Sequence, residues 1–192
     1  MIAGKIVAPN SEVTGTRLCT AYQIPIGDLI YNVYDTPGLD ALGLGTDPVT
    51  KLIVGMQDGV HLLVFCMQGR ITGDAVAIYK HFSRSLLEKV PVIIVITGLE
   101  HEDPMHSWWT KNQAAFDDYD MLFTDYACVT TLRGKGSVFA AQYEESKKIV
   151  SRLIATRCSK EGQRAVSFHS VLVFYLIRLS LGVAHAGENS ES

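Results

Sequence analysis

The 192-residue chain lacks most of the features that would assign it quickly to a class. Its four cysteines, Cys19, Cys66, Cys128 and Cys158, form no C-x-x-C pair. That spacing argues against a zinc knuckle or a disulfide framework and fits a reducing compartment. It has no basic excess: 17 Lys and Arg stand against 20 Asp and Glu, a formal charge of −3. The general electrostatic footprint of a nucleic-acid binder is therefore missing, and so is bulk attraction to an anionic membrane. Residues Met1 to Asn10 hold a lone Lys5 and no long apolar run, which does not read as a secretory signal. There is no repeat of fixed period, no low-complexity tract and no G-x-S-x-G nucleophile elbow. A cytoplasmic location is the expectation, with no nucleic-acid partner.

What is present is the composition of a folded chain, with 47% hydrophobic, 19% charged and 9% aromatic residues. The length suits one domain, at about 100 to 200 residues per domain. Three short β-rich runs stand out, Ile30 to Tyr34, Val60 to Phe65 and Val92 to Ile96, with a weaker fourth at Tyr126 to Val129. The second and third are almost continuously apolar, the pattern of strands covered on both faces of a parallel sheet. Between them, Ala75, Ile78, Tyr79, Phe82, Leu86 and Leu87 recur at helical steps, which predicts an amphipathic helix over Asp74 to Lys89. A second helix is predicted from Phe139, Ala140, Tyr143, Ile149, Val150, Leu153 and Ile154, and Trp108-Trp109 opens a third. Strand and helix in alternation predict an open α/β sheet, whose ligands gather beyond the carboxyl ends of its strands.

The strand ends carry the chemistry. Ile30 to Tyr34 runs into Asp35-Thr36-Pro37-Gly38. A carboxylate at a strand end can hold Mg²⁺ through its water shell, and a glycine amide can approach a γ-phosphate closely. An Asp-Pro-Gly turn is the plainer reading. Upstream, Thr20 on a predicted loop could complete the Mg²⁺ coordination. Val92 to Ile96 ends in Thr97-Gly98-Leu99-Glu100. The Glu100 carboxylate can accept both the ring N–H and the exocyclic amine of guanine, a pairing adenine cannot offer. After the fourth run, the hydroxyl of Thr130 or Thr131 could line a base pocket, ahead of Arg133-Gly134-Lys135-Gly136.

Taken in order, Thr20, Asp35-Thr36-Pro37-Gly38, Thr97-Gly98-Leu99-Glu100 and Val129-Thr130-Thr131 resemble the second to fifth motifs of a guanine-nucleotide-binding domain. The sequence is most similar to the immunity-associated and septin-like branch, and especially to fungal G-domain proteins. Arg70-Ile71-Thr72, Trp108-Trp109, Leu132 to Gly136 and Tyr143-Glu144-Glu145-Ser146-Lys147 support that placement. The resemblance implies a three-layer P-loop NTPase fold with a mostly parallel sheet, a GTPase that binds GTP or GDP with Mg²⁺, and a homodimer through the nucleotide face. It implies nucleotide contacts from Thr20, Asp35, Thr36, Gly38, Thr97, Glu100, Thr130 and Thr131, with Thr20 and Asp35 also at the metal.

Three departures qualify it. The first strand and the phosphate loop G-x-x-x-x-G-K-[ST] are absent, and the phosphate cradle is expected to lie upstream of Met1. Thr97-Gly98-Leu99-Glu100 lacks the lysine and aspartate of the usual N/T-K-x-D, so guanine reading rests on Glu100. Leu39 follows Gly38 where Ras-like enzymes place a water-orienting glutamine. The expectation is a partial G-domain over 1–157 that binds GTP weakly or not at all. The alternative is an interaction module that keeps the fold without the nucleotide. Beyond it, 158–192 reads as a tail, hydrophobic then polar. Its run Val171 to Ile177 is interrupted by Arg178 and is short of a membrane span, so the open readings are a membrane association through 168–184, a packed helix, or a segment without function. A sheet missing a central strand is further expected to be marginally stable.

Overall fold

In a computed structural model of the chain, residues 20–36, 60–86, 90–158 and 169–176 are described. They form a mixed α/β fold. In chain order the elements are β1 (Thr20–Ile26), β2 (Leu29–Thr36), β3 (Leu62–Gln68), α1 (Gly73–Leu86), β4 (Val92–Thr97), α2 (Ser107–Asp117), β5 (Asp125–Cys128), α3 (Ala140–Arg157) and β6 (His169–Leu176). The six strands make one sheet in the order β1-β2-β6-β3-β4-β5. All neighbours are parallel except β1, which pairs antiparallel with β2 through the two-residue connection Gly27-Asp28.

The continuous apolar runs have the cause expected of them. Along β3, Phe65 and Met67 enter one core while Leu62, Val64 and Cys66 enter the other. Along β4, Val92, Ile94 and Ile96 alternate in the same way with Ile93 and Val95. Period-2 side chains with both faces covered leave no polar position. The first core takes Ala75, Ile78 and Tyr79 from α1 and Trp108 and Phe116 from α2. The second takes Val150, Leu153 and Ile154 from α3. Helices thus lie on both faces of the sheet.

Local chemistry sets the helix positions. Thr72 caps α1, its Oγ1 accepting the Ala75 N–H at 3.2 Å, with Asp74 in the first turn facing the positive end of the helix dipole. The Tyr79 hydroxyl donates to the Leu122 carbonyl at 2.6 Å and accepts the Leu122 N–H at 2.8 Å. One side chain thereby satisfies both backbone groups of the segment leading into β5.

Two expectations need correction. Thr20 is not on a loop: it is the first residue of β1 and lies across from Asp35. The stretch set apart as a tail supplies β6, which runs through the middle of the sheet, parallel to β2 on one side and β3 on the other. Residues 169–176 are therefore a strand and not a helix, because their backbone completes a ladder on both sides; the rest of the run 168–184 lies outside the described residues. The same strand occupies the place between β2 and β3. Among the described residues, no helix is long and apolar enough to cross a membrane.

Candidate functional site at the strand carboxyl ends

Because β2, β6, β3, β4 and β5 are parallel, their carboxyl ends share one edge of the sheet. Asp35 and Thr36 stand at the end of β2, Gln68 at the end of β3 and Thr97 at the end of β4. The loop after β5 begins at Val129.

Two of the predicted motifs meet there. Thr97 donates its hydroxyl to the Met67 carbonyl at 3.2 Å, and its own carbonyl accepts the Gly69 N–H at 3.1 Å, which fixes the end of β4 against β3. The backbone then turns through Gly98, whose φ of +79° favours glycine. A Cβ there would sit 3.0 Å from the Gln68 side chain, so Gln68 lies directly over Gly98. Leu99 donates its N–H to the Val129 carbonyl at 3.3 Å, and Val129 donates to the Ile96 carbonyl at 2.8 Å. These bonds bring Glu100 to Thr130: the threonine hydroxyl donates to Glu100 Oε2 at 3.0 Å.

Thr130 is held from every side. It is fully buried; its N–H is accepted by Ser146 Oγ at 3.1 Å, and its Oγ1 accepts the Leu132 N–H at 3.1 Å. Ser146 is itself buried on α3. Burial with complete hydrogen bonding makes a fixed polar network rather than an adaptable one. Glu100 is half-buried, and its Oε1 accepts no hydrogen bond from a described residue. A carboxylate held at one oxygen and open at the other can take paired N–H donors from a planar ligand. Thr130, rather than the exposed Thr131, is the partner.

The surrounding loops are tied down as well. His101 meets the edge of Phe139 with ring centroids 5.3 Å apart. Arg133 pairs with Glu144 and lies 4.5 Å over the Tyr143 ring. Gly134 has φ +72°, and a Cβ there would come within 2.6 Å of Val138 and 2.8 Å of Phe139, so this turn requires glycine.

The phosphate and metal end is less complete. Thr20 and Asp35, the predicted metal pair, share a register position. Asp35 is half-buried, and its charge adds to the burial that pushes the Cys66 thiol up to about 12. Thr36 is buried at 1% exposure. Pro37, Gly38 and Leu39 lie outside the described residues. No cluster of three or more His, Cys, Asp or Glu side chains able to hold a metal occurs among the described residues.

Sequence reasoning missed Ser146 and Gln68. A signal existed for each. Ser146 begins the 146, 150, 153, 154 spacing of α3, a polar residue on an otherwise apolar stripe. Gln68 is the first polar residue after the apolar run of β3. No protein-family model matches this chain, and no curated protein matches it.

Proposed function

We propose that this chain is the guanine-nucleotide-binding domain of a GTPase-like switch, acting in the cytoplasm. The observation that carries the reading is the Glu100–Thr130 hydrogen bond, which joins two motifs thirty residues apart at the carboxyl ends of neighbouring strands. On this reading Glu100 accepts the ring N–H and exocyclic amine of guanine, Thr130 holds its carboxylate in plane, and Ser146 holds Thr130. Thr97 supports the turn that delivers Glu100. Asp35 and Thr20 act at Mg²⁺, with Thr36 and Gly38 on the γ-phosphate side.

Phosphate binding is the weak end of this site. Backbone amides of a glycine-rich loop supply many of the contacts that hold a nucleotide's phosphates. The sequence after β6 has Gly182 and Gly187 at phosphate-loop spacing, but Glu188 and Asn189 stand where that motif has lysine and serine or threonine. A carboxylate in that place repels phosphate. Affinity for GTP is therefore expected to be weaker than micromolar, and hydrolysis is not expected from this chain alone.

A second reading, an interaction module without nucleotide binding, is favoured by one observation. Leu132 and Val138, at 52% and 66% exposure, put apolar side chains in solvent beside the site. A calorimetric titration of the chain with GTP and Mg²⁺ separates the readings. Weak, saturable heat with GTP and none with ATP supports the switch. No binding of either nucleotide at millimolar concentration supports the module.

A further inference from the structure

The ends of β3 and β4 are joined beyond what their ladder requires. Past the last Cα pair, Gln68 with Thr97, the Gly69 N–H is accepted by the Thr97 carbonyl at 3.1 Å, and the Thr97 hydroxyl donates to the Met67 carbonyl at 3.2 Å. Leu99 is buried, and a Cβ on Gly69 would meet its Cδ2 at 3.6 Å. The turn that delivers Glu100 is therefore held by the end of β3 on one side and by the Val129–Thr130 loop on the other.

Gln68 is the polar side chain left over from this arrangement. A Cβ on Gly98 would lie 3.0 Å from Gln68 Cγ and 3.1 Å from its Nε2, so stem and amide both lie along the bare face of the glycine. Residue 68 takes the space that a side chain at 98 would fill. Gln68 is exposed, and its amide makes no hydrogen bond to a described residue. The neighbouring donors are spent within the protein. The Thr97 and Thr130 hydroxyls go to Met67 and Glu100, and the N–H groups of Thr130 and Leu132 go to Ser146 Oγ and Thr130 Oγ1. The Gln68 amide brings two N–H donors to this edge that a ligand can use.

Guanine needs such a donor. Next to the ring N–H and exocyclic amine that Glu100 is proposed to accept, the base carries a carbonyl oxygen, where adenine carries an amine. A carboxylate has only acceptors and leaves that oxygen unmet. Gly98 and Glu100 are two residue steps apart, at most about 7 Å, so the amide over Gly98 and the Glu100 carboxylate flank the same turn.

We propose that Gln68 is a specificity-determining residue of this site, its Nε2 donating to the carbonyl oxygen of guanine while Glu100 accepts from the adjacent donors. The proposal rests on the guanine reading of Glu100 and adds a third hydrogen bond to it. The base is then read from two elements, the end of β3 and the turn after β4. The bare glycine at 98 is what lets the first of them reach across.

An NMR titration of the full chain with GTP, inosine triphosphate and ATP, each with Mg²⁺, tests it on the unsubstituted protein and on Gln68→Ala and Gln68→Glu. Inosine keeps the carbonyl oxygen and lacks the exocyclic amine. Gln68→Ala is expected to weaken GTP and inosine triphosphate by the same factor, about fivefold, because each loses one hydrogen bond to an oxygen that both carry. Gln68→Glu sets an acceptor against that oxygen. It is expected to weaken GTP by more than about tenfold and to move the GTP-to-ATP preference toward ATP, whose amine it can accept. Unchanged GTP affinity in Gln68→Ala overturns the proposal. So does an equal loss in both variants with an unchanged GTP-to-ATP preference, which marks a packing role. If the unsubstituted chain does not prefer GTP to ATP, the guanine reading of Glu100 falls and the proposal falls with it. A preference that is lost in Glu100→Gln but keeps its full value in Gln68→Glu overturns the role of Gln68 alone.

Discussion

The two halves of the sheet are stabilised differently. Around β3, β4 and β5 each strand is followed by a helix that packs back on it, and side chains are buried on both faces. Around β1 and β2, the described buried hydrophobic residues, Ile24, Tyr31 and Val33, belong to one core only. No described helix contributes to the opposite face there. That half is joined to the rest through the backbone ladder of β6. One half is buried on both faces by described helices; the other shares the single core under α3 and adds the ladder to β6, a strand far away in sequence.

Substitutions should separate these two modes. Phe116 is buried at 1% exposure among Trp108, Trp109 and Phe123. Phe116→Ala is expected to cost about 3–5 kcal/mol and to lower the stability of the whole domain in urea unfolding. Val173→Pro removes a backbone donor from the middle of β6, at a position paired with both Tyr34 and Leu63. It is expected to cost about 3 kcal/mol. Its loss of amide-exchange protection should concentrate in β1 and β2 and leave β4 and β5 protected. Equal loss in both halves would break the comparison.

Smaller effects sharpen it. Tyr79→Phe leaves the Leu122 N–H and carbonyl without their partner and is expected to cost about 1–3 kcal/mol by chemical denaturation. The last test concerns Cys66, on β3 beside β6. Burial first, and the Asp35 charge second, raise its thiol from 9.0 to about 12. The folded state therefore holds this proton more tightly than the unfolded state. Stability from this group is complete below pH 9 and is lost as pH rises toward 12. Melting temperature should fall across that window, and Cys66→Ala should make the fall shallower.

The same division explains what could be read in the sequence. β3, α1 and β4 are legible because each apolar run is buried by its neighbours, so periodicity and burial agree. The boundaries still shift: the run expected to start at Val60 forms a strand only from Leu62 and continues to Gln68, following its ladder with β4. β1 is harder, since Thr20 to Ile26 is an edge strand that alternates only loosely and depends on its hairpin with β2. β6 is the least legible. Val-Leu-Val-Phe-Tyr-Leu has strong strand propensity, but nothing local reports that its partners are β2 and β3, far upstream in the chain.

At the site, Asp35, Glu100 and Thr130 follow from their positions after apolar strands. The choice of Thr130 over Thr131 was not legible, because it depends on which hydroxyl faces Glu100 and Ser146. Ser146 needed the three-dimensional partner before its polarity on an apolar stripe acquired a meaning.

Glu100, held by Thr130, is proposed to read guanine. The most direct measurement is an NMR titration of the full chain with GTP and with ATP at millimolar concentration, repeated on Glu100→Gln. GTP is expected to shift the amides of Gly98 to Thr130 that line the site, ATP to leave them unmoved, and Glu100→Gln to abolish the difference. Equal responses to GTP and ATP, or discrimination that survives in Glu100→Gln, would contradict it.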